Sequence, residues 1–173
     1  MSVYSNKVKN KLLVMYFLKS INTPLLGYQI EDYFVENVMI DPIELHSILA
    51  DLVDTGFFKT TELSNGSYYS LTEKGKDALY NLETELTQTS RELIEKYCDE
   101  NRDKIVRENN VITSCTQNLD GSFDLSLIVL DNAKKLMELK LTFDDESFAV
   151  AAVKNWPARS SDIYASILNM LFQ

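Results

Sequence analysis

Apolar residues in the first half of the chain fall at helical spacing, broken by short punctuating segments. Lys7 to Ser20 reads as a helix buried on most sides around Leu12, Leu13, Tyr16 and Phe17. Asn22-Thr23-Pro24 interrupts it, and a second helix is expected from about Gly27 to Glu36, with Ile30, Tyr33 and Phe34 on its apolar side. After a turn at Asn37–Ile40, the third helix has the clearest signature. Asp41 is a good N-cap, Pro42 takes the first helical position and Glu44 falls three residues after the cap. Ile40 and Leu45 are spaced for a hydrophobic staple across it. Leu45, Ile48, Leu49, Leu52 and Val53 keep to one helical face, and Gly56 stands where a left-handed C-terminal cap is needed. Phe57–Leu63 and Tyr68–Leu71 then flank Ser64-Asn65-Gly66-Ser67, a strong hairpin signal, and Thr72 can cap a helix starting at Glu73.

Between residues 82 and 89 the pattern changes without a flexible tether. Thr89 with Glu92 reads as a capping box opening a charged helix to about Asn109, with Leu93, Ile94, Tyr97, Ile105 and Val106 inward. Val111–Asn118 and Ser122–Leu130 read as strands on either side of Asp120-Gly121. Lys135–Phe143 alternates, with Met137, Leu139, Leu141 and Phe143 on one face and Glu138, Lys140 and Thr142 on the other. Short connections predict a three-stranded antiparallel meander. Two helices are expected to close the chain, about Asp145–Trp156 and Ser160–Phe172. Trp156-Pro157 would end the first, and the second would bury Ile163, Tyr164, Ile167, Leu168 and Leu171. The class is therefore α+β, with one domain over residues 1–82 and a second, carrying the meander and flanking helices, over 83–173.

A chain of 173 residues that is 45% hydrophobic can bury a core without staples. The balance of 17 Lys+Arg against 26 Asp+Glu, a net charge of −9, argues against strong unspecific adhesion to nucleic acid or an anionic membrane. It leaves room for a small basic patch. Two cysteines, one histidine and five glycines supply no Cys/His metal cluster, no nucleophile–base pair and no glycine-rich phosphate loop. No enzymatic activity, metal or cofactor is expected on these grounds. Cys98 and Cys115 read as small core hydrophobes, and Asp144-Asp145-Glu146 as a helix start where negative charge suits the dipole. Lys7, Lys9 and Lys11 precede the apolar run Leu12–Leu18, which superficially copies a signal peptide, but Lys19 closes the run and no small-residue cleavage site follows. The run is also short of the about 20 apolar residues that span a bilayer. The expectation is a cytoplasmic protein with reduced thiols and no membrane partner.

Two segments one hairpin apart carry a resemblance. Leu52-Val53-Asp54-Thr55-Gly56-Phe57-Phe58 resembles the end of the recognition helix leading into the wing of bacterial winged helix-turn-helix regulators of the phenolic-acid and multiple-antibiotic-resistance types. Tyr69-Ser70-Leu71-Thr72-Glu73-Lys74-Gly75 resembles their frequent Tyr-x-Leu-Thr-x-x-Gly exit from the wing. Over its full length the chain is similar to a bacterial winged-helix family described only as regulators. The resemblance implies a winged helix in the first half with a companion domain after it. It implies no particular ligand and no catalytic residue.

In a DNA-binding winged helix the third helix lies in the major groove while the wing touches backbone or minor groove. Here the outward residues of that helix would be Glu44, His46, Ser47, Ala50, Asp51 and Asp54, none of them Lys or Arg. Of these, His46 and Ser47 are natural partners for bases. Further contacts to DNA would fall to Lys59 on the first wing strand, Asn65 in the wing turn, and Lys74 and Lys76 beside Gly75, with Lys7, Lys9 and Lys11 near the start of the first helix. Residues 1–80 hold 7 basic and 10 acidic residues against 10 and 16 in the remainder, so the first half is the less acidic one. The last helix carries more apolar surface than a three-stranded sheet needs. Ile167, Leu168, Met170, Leu171 and Phe172 are expected at a homodimer interface that would set two winged helices on two half-sites. The leading expectation is a dimeric regulator of transcription acting on double-stranded DNA, its second domain dimerising or sensing an effector. The alternative is a winged helix used for protein–protein association, motivated by the acidic third helix.

Overall fold

A computed structural model describes residues 3–37 and 39–172; Val38, inside the turn expected at Asn37–Ile40, lies outside the described residues. Among these the chain is α+β, with six α-helices and two three-stranded antiparallel sheets. Its contacts gather into two compact units, residues 1–103 and 104–173.

In the first unit α1 (Val3–Ile21) starts earlier than its apolar run and ends where Asn22 takes a φ of 53°. Leu12–Leu18 are all buried, so this helix is the core around which the others pack. Then come β1 (Leu25–Leu26), α2 (Gly27–Glu36), α3 (Pro42–Asp54), β2 (Phe58–Leu63), β3 (Gly66–Leu71) and α4 (Glu73–Leu82). β1, too short to show alternation, pairs with β3 through Leu25–Tyr69 and Leu26–Tyr68, giving the sheet order β1-β3-β2. The β2–β3 turn is centred on Ser64-Asn65, and Gly66 opens β3 at a φ of 132°.

After a 3-10 turn at Glu83–Glu85 comes α5 (Gln88–Asn109). Its cap is Thr87, whose hydroxyl accepts from the Ser90 amide at 3.3 Å, and not Thr89 as the sequence suggested. Thr89 lies two residues too late, already inside the helix, because Leu86 is buried and fixes the chain entry before it. Ile94 and Cys98 are buried on the first unit, while Leu93, expected inward, is half exposed. Tyr97 joins Phe17, Tyr33 and Phe34 in an aromatic cluster in which Phe17 stacks on Tyr33 at 4.4 Å. The Tyr33 hydroxyl is buried there with no hydrogen-bond partner among the described residues, and burial pushes its pKa up to about 12. Arg102 donates to the carbonyls of Ser20 (2.8 Å) and Ile21 (3.2 Å), satisfying the C-terminal end of α1.

The second unit holds β4 (Val111–Gln117), β5 (Phe123–Asp131), β6 (Lys134–Phe143) and α6 (Glu146–Leu171). The strands form the meander β4-β5-β6 in antiparallel register, Cys115 opposite Leu125 and Leu125 opposite Leu141. Asp120 shapes the first turn by accepting from the Ser122 amide at 3.0 Å, with Gly121 at a φ of 89°. The second turn uses Asn132 and Ala133, both at positive φ, so no glycine announces it. Leu125, Leu127 and Val129 form one buried row on β5, covered by Ala149, Val153 and Trp156 of α6.

Three expectations about this unit are overturned. The closing segment is one helix and not two: α6 runs through Pro157. Proline removes one helical hydrogen bond, at about 3 kcal/mol in an interior. Ala149 and Trp156 before it and Ser160 after it are all buried, and Trp156 Nε1 donates to the Ile128 carbonyl at 3.0 Å, so packing on both sides of the break outweighs that cost. Asp145 caps the helix by accepting from the Ser147 amide at 2.7 Å. Leu171, expected inside, is 71% exposed, and Cys115, expected in the core, is exposed because its end of edge strand β4 runs out into solvent.

Candidate nucleic-acid interface

The face of α3 is built by its two ends and its buried stripe. Asp41 accepts from the Ile43 amide at 2.9 Å and the Glu44 amide at 3.3 Å, with Pro42 beginning the helix and Ile40 buried before the cap. At the other end the Phe57 amide reaches back to the Leu52 carbonyl and Gly56 to Val53, both at 2.9 Å. That pair of hydrogen bonds needs a left-handed residue, and Gly56 supplies it at a φ of 74°. Leu45, Ile48, Leu49 and Leu52 are buried between, so the remaining positions are turned outward.

Of those, His46, Ser47, Ala50 and Asp54 are exposed, and Ile43 is 82% exposed. His46 Nε2 lies 3.6 Å from a Glu31 carboxylate oxygen on α2. Glu44 accepts from the Asn10 side chain at 2.9 Å. Asp51 is held by two lysines of α1: Lys11 Nζ at 2.6 Å and Lys7 Nζ at 3.7 Å. The hydrogen bond from Lys11 and its charge hold the Asp51 carboxyl below its ordinary range. The carboxylate therefore stays charged, and the ion pair is lost only on acidification through that lowered pKa.

The flanking residues divide into engaged and unengaged. Lys59 is exposed on β2, opposite Ser70, and among the described residues makes no ion pair. Asn65 donates to the Tyr68 hydroxyl at 2.8 Å, which fixes the turn. Lys74 donates to the Thr55 carbonyl at 2.6 Å and lies over the Phe57 ring, so it caps the C-terminal end of α3. Lys76 pairs with Glu73 at 2.7 Å. Thr72 caps α4, accepting from the Gly75 amide at 3.1 Å, and its hydroxyl lies 2.7 Å from the Gly56 carbonyl, tying the strand exit to the end of α3.

Lys7, Lys11, His46, Ser47, Asp51 and Ile43 thus belong to α3 or touch it, and Lys74 touches its end. Lys76 forms its pair within α4. The structure adds Ile43 and Glu31 to the sequence candidates. Ile43 was detectable as an apolar residue outside the helical stripe; Glu31 carried no signal, since its neighbour lies on another helix. On α6, Ile167 and Leu168 are half-buried, while Met170, Leu171 and Phe172 are 71%, 71% and 84% exposed. Among the described residues no group of three His, Cys, Asp or Glu side chains could hold a metal ion, and no helix is long and apolar enough to cross a membrane.

Fold and face together define an α+β chain that presents one capped helix, braced by a three-stranded sheet, to solvent. The chain belongs to the family described as a domain of unknown function, DUF4364, whose model matches residues 10–171. Nothing among the curated proteins or the solved structures matches it.

Proposed function

We propose that the chain is a cytoplasmic, dimeric winged-helix regulator that contacts double-stranded DNA through α3 and the β2–β3 wing. The observation that carries the reading is the outward face of α3. Four buried side chains and two satisfied ends hold it rigid, and it offers His46, Ser47, Ala50 and Ile43 to a groove. An apolar side chain such as Ile43 suits a thymine methyl, and His46 and Ser47 suit base edges or phosphate. The charge of Asp51, which would repel phosphate, is balanced within the protein by Lys7 and Lys11. Lys59 is the wing cation left for the backbone. The exposed thiol of Cys115 fits a reducing compartment. No catalytic step belongs to this reading.

Lys59→Glu tests it. Fluorescence anisotropy at low salt should find duplex affinity reduced about tenfold, because one phosphate contact becomes a repulsion. Unchanged affinity would remove the wing from the interface. Dimerisation rests on the exposed Met170, Leu171 and Phe172 at the end of α6. Light scattering at tens of micromolar should return twice the 19.8 kDa chain mass, and a monomer mass would end that part of the proposal.

A second reading, protein association through α3, is favoured by one observation: Lys74 and Lys76 are occupied within the chain while Asp54 is exposed. It differs in its salt response, since protein contacts release no condensed counterions.

A further inference from the structure

Lys7 and Lys11 are the fifth and ninth residues of α1, one turn apart on the same side of the helix. Like charges four residues apart repel, which makes the pair unfavourable for α1 alone. What answers it is a single carboxylate from another helix, Asp51, with Lys11 at 2.6 Å and Lys7 at 3.7 Å. The cluster is not sequestered: the side chains of Lys7, Lys11 and Asp51 are 47%, 28% and 41% exposed. It lies toward the C-terminal end of α3, between the exposed Ser47 and Asp54 in sequence. A phosphate oxygen offers the same chemistry to two ammonium groups as a carboxylate does.

We propose that Asp51 is an internal stand-in for DNA phosphate, holding Lys7 and Lys11 back from the backbone and setting the duplex affinity of the protein low. The inference rests on the DNA-binding reading and specifies what limits it. Only a duplex whose other contacts are good enough to displace Asp51 gains the two lysines. Asp51 thereby disfavours indiscriminate binding, as a repulsive element does in specific interfaces. Removing its charge should release both cations to any duplex.

The test compares the full-length chain with Asp51→Asn, Asp54→Asn and Asp51→Asn/Lys11→Gln, titrated against an unrelated duplex at several salt concentrations. Asp54 is exposed on the same helix but pairs with no lysine among the described residues, so it controls for the loss of one negative charge. Asp51→Asn should bind about tenfold more tightly, with a salt slope steeper by about 1 to 2 because up to two phosphates are newly neutralised. Asp54→Asn should leave the slope unchanged, and Lys11→Gln should cancel most of the gain. Equal effects of the two Asp→Asn substitutions, or a gain that survives Lys11→Gln, would overturn the proposal while leaving DNA binding intact. Failure of every form, wild type included, to bind duplex at low salt would overturn both.

Discussion

Trp156→Ala is expected to cost about 4 kcal/mol, the upper range for removing a buried aromatic side chain. Trp156 is 2% exposed and packs on the row Leu125, Leu127 and Val129 with Ala149 beside it. The substitution leaves a cavity at the centre of the α6–sheet contact and removes the Nε1 donor that the Ile128 carbonyl accepts at 3.0 Å. It also removes the anchor next to Pro157, where α6 already lacks one backbone hydrogen bond. Urea unfolding followed by far-UV circular dichroism checks the figure. A loss below about 1 kcal/mol would show that the sheet does not depend on this contact. Trp156 is the single tryptophan, so its emission in the wild type reports on the same packing.

Gly75→Ala should destabilise by about 3 kcal/mol, although glycine to alanine in a helix interior ordinarily stabilises by up to about 1 kcal/mol. The sign reverses because of one close approach. A methyl at Gly75 would overlap the Phe57 carbonyl oxygen and come within 2.8 Å of Leu71 Cδ1. The Phe57 backbone decides the sign: Phe57 lies in the C-terminal cap of α3, and its carbonyl accepts from the Thr72 amide at 2.9 Å. The strain would therefore displace the β2–β3 hairpin relative to α3. Denaturant midpoints of the two forms decide the matter, and an unchanged or raised midpoint would contradict the packing described here.

What the sequence revealed and what it hid follow from the range of the interactions. α3 was legible at both ends because Asp41, Pro42, Leu45 and Gly56 act on their own helix. The β2–β3 hairpin and the three strands of the meander were legible because alternation and turn chemistry are local, as in the register from Val111–Val129 to Gln117–Phe123. The glycine of the Tyr-x-Leu-Thr-x-x-Gly segment was visible as a pattern, but its reason, contact with Phe57, needed the fold.

The errors share a cause. Pro157 was a valid local stop signal, overridden by Trp156 and Ser160 packing on either side of it. Thr89 and Glu92 matched a capping box, yet buried Leu86 set the start of α5 two residues earlier. β1 has two residues and no periodicity, and only its pairing with β3 defines it. At the candidate interface the sequence named candidate residues but could not show their engagements. Lys11 and Asp51 lie 40 positions apart, and Lys74 reaches a carbonyl on another element; no spacing rule connects either pair. A surface that looked acidic by composition is partly neutralised, and lysines that looked free are mostly occupied.

The most direct measurement is fluorescence anisotropy of the wild-type chain with duplex from upstream of its own gene and with an unrelated duplex, each at low and moderate salt. The account predicts preference for the upstream fragment and binding that weakens steeply as salt rises. Absence of binding to either duplex at low salt would contradict it and turn the α3 face over to a protein partner.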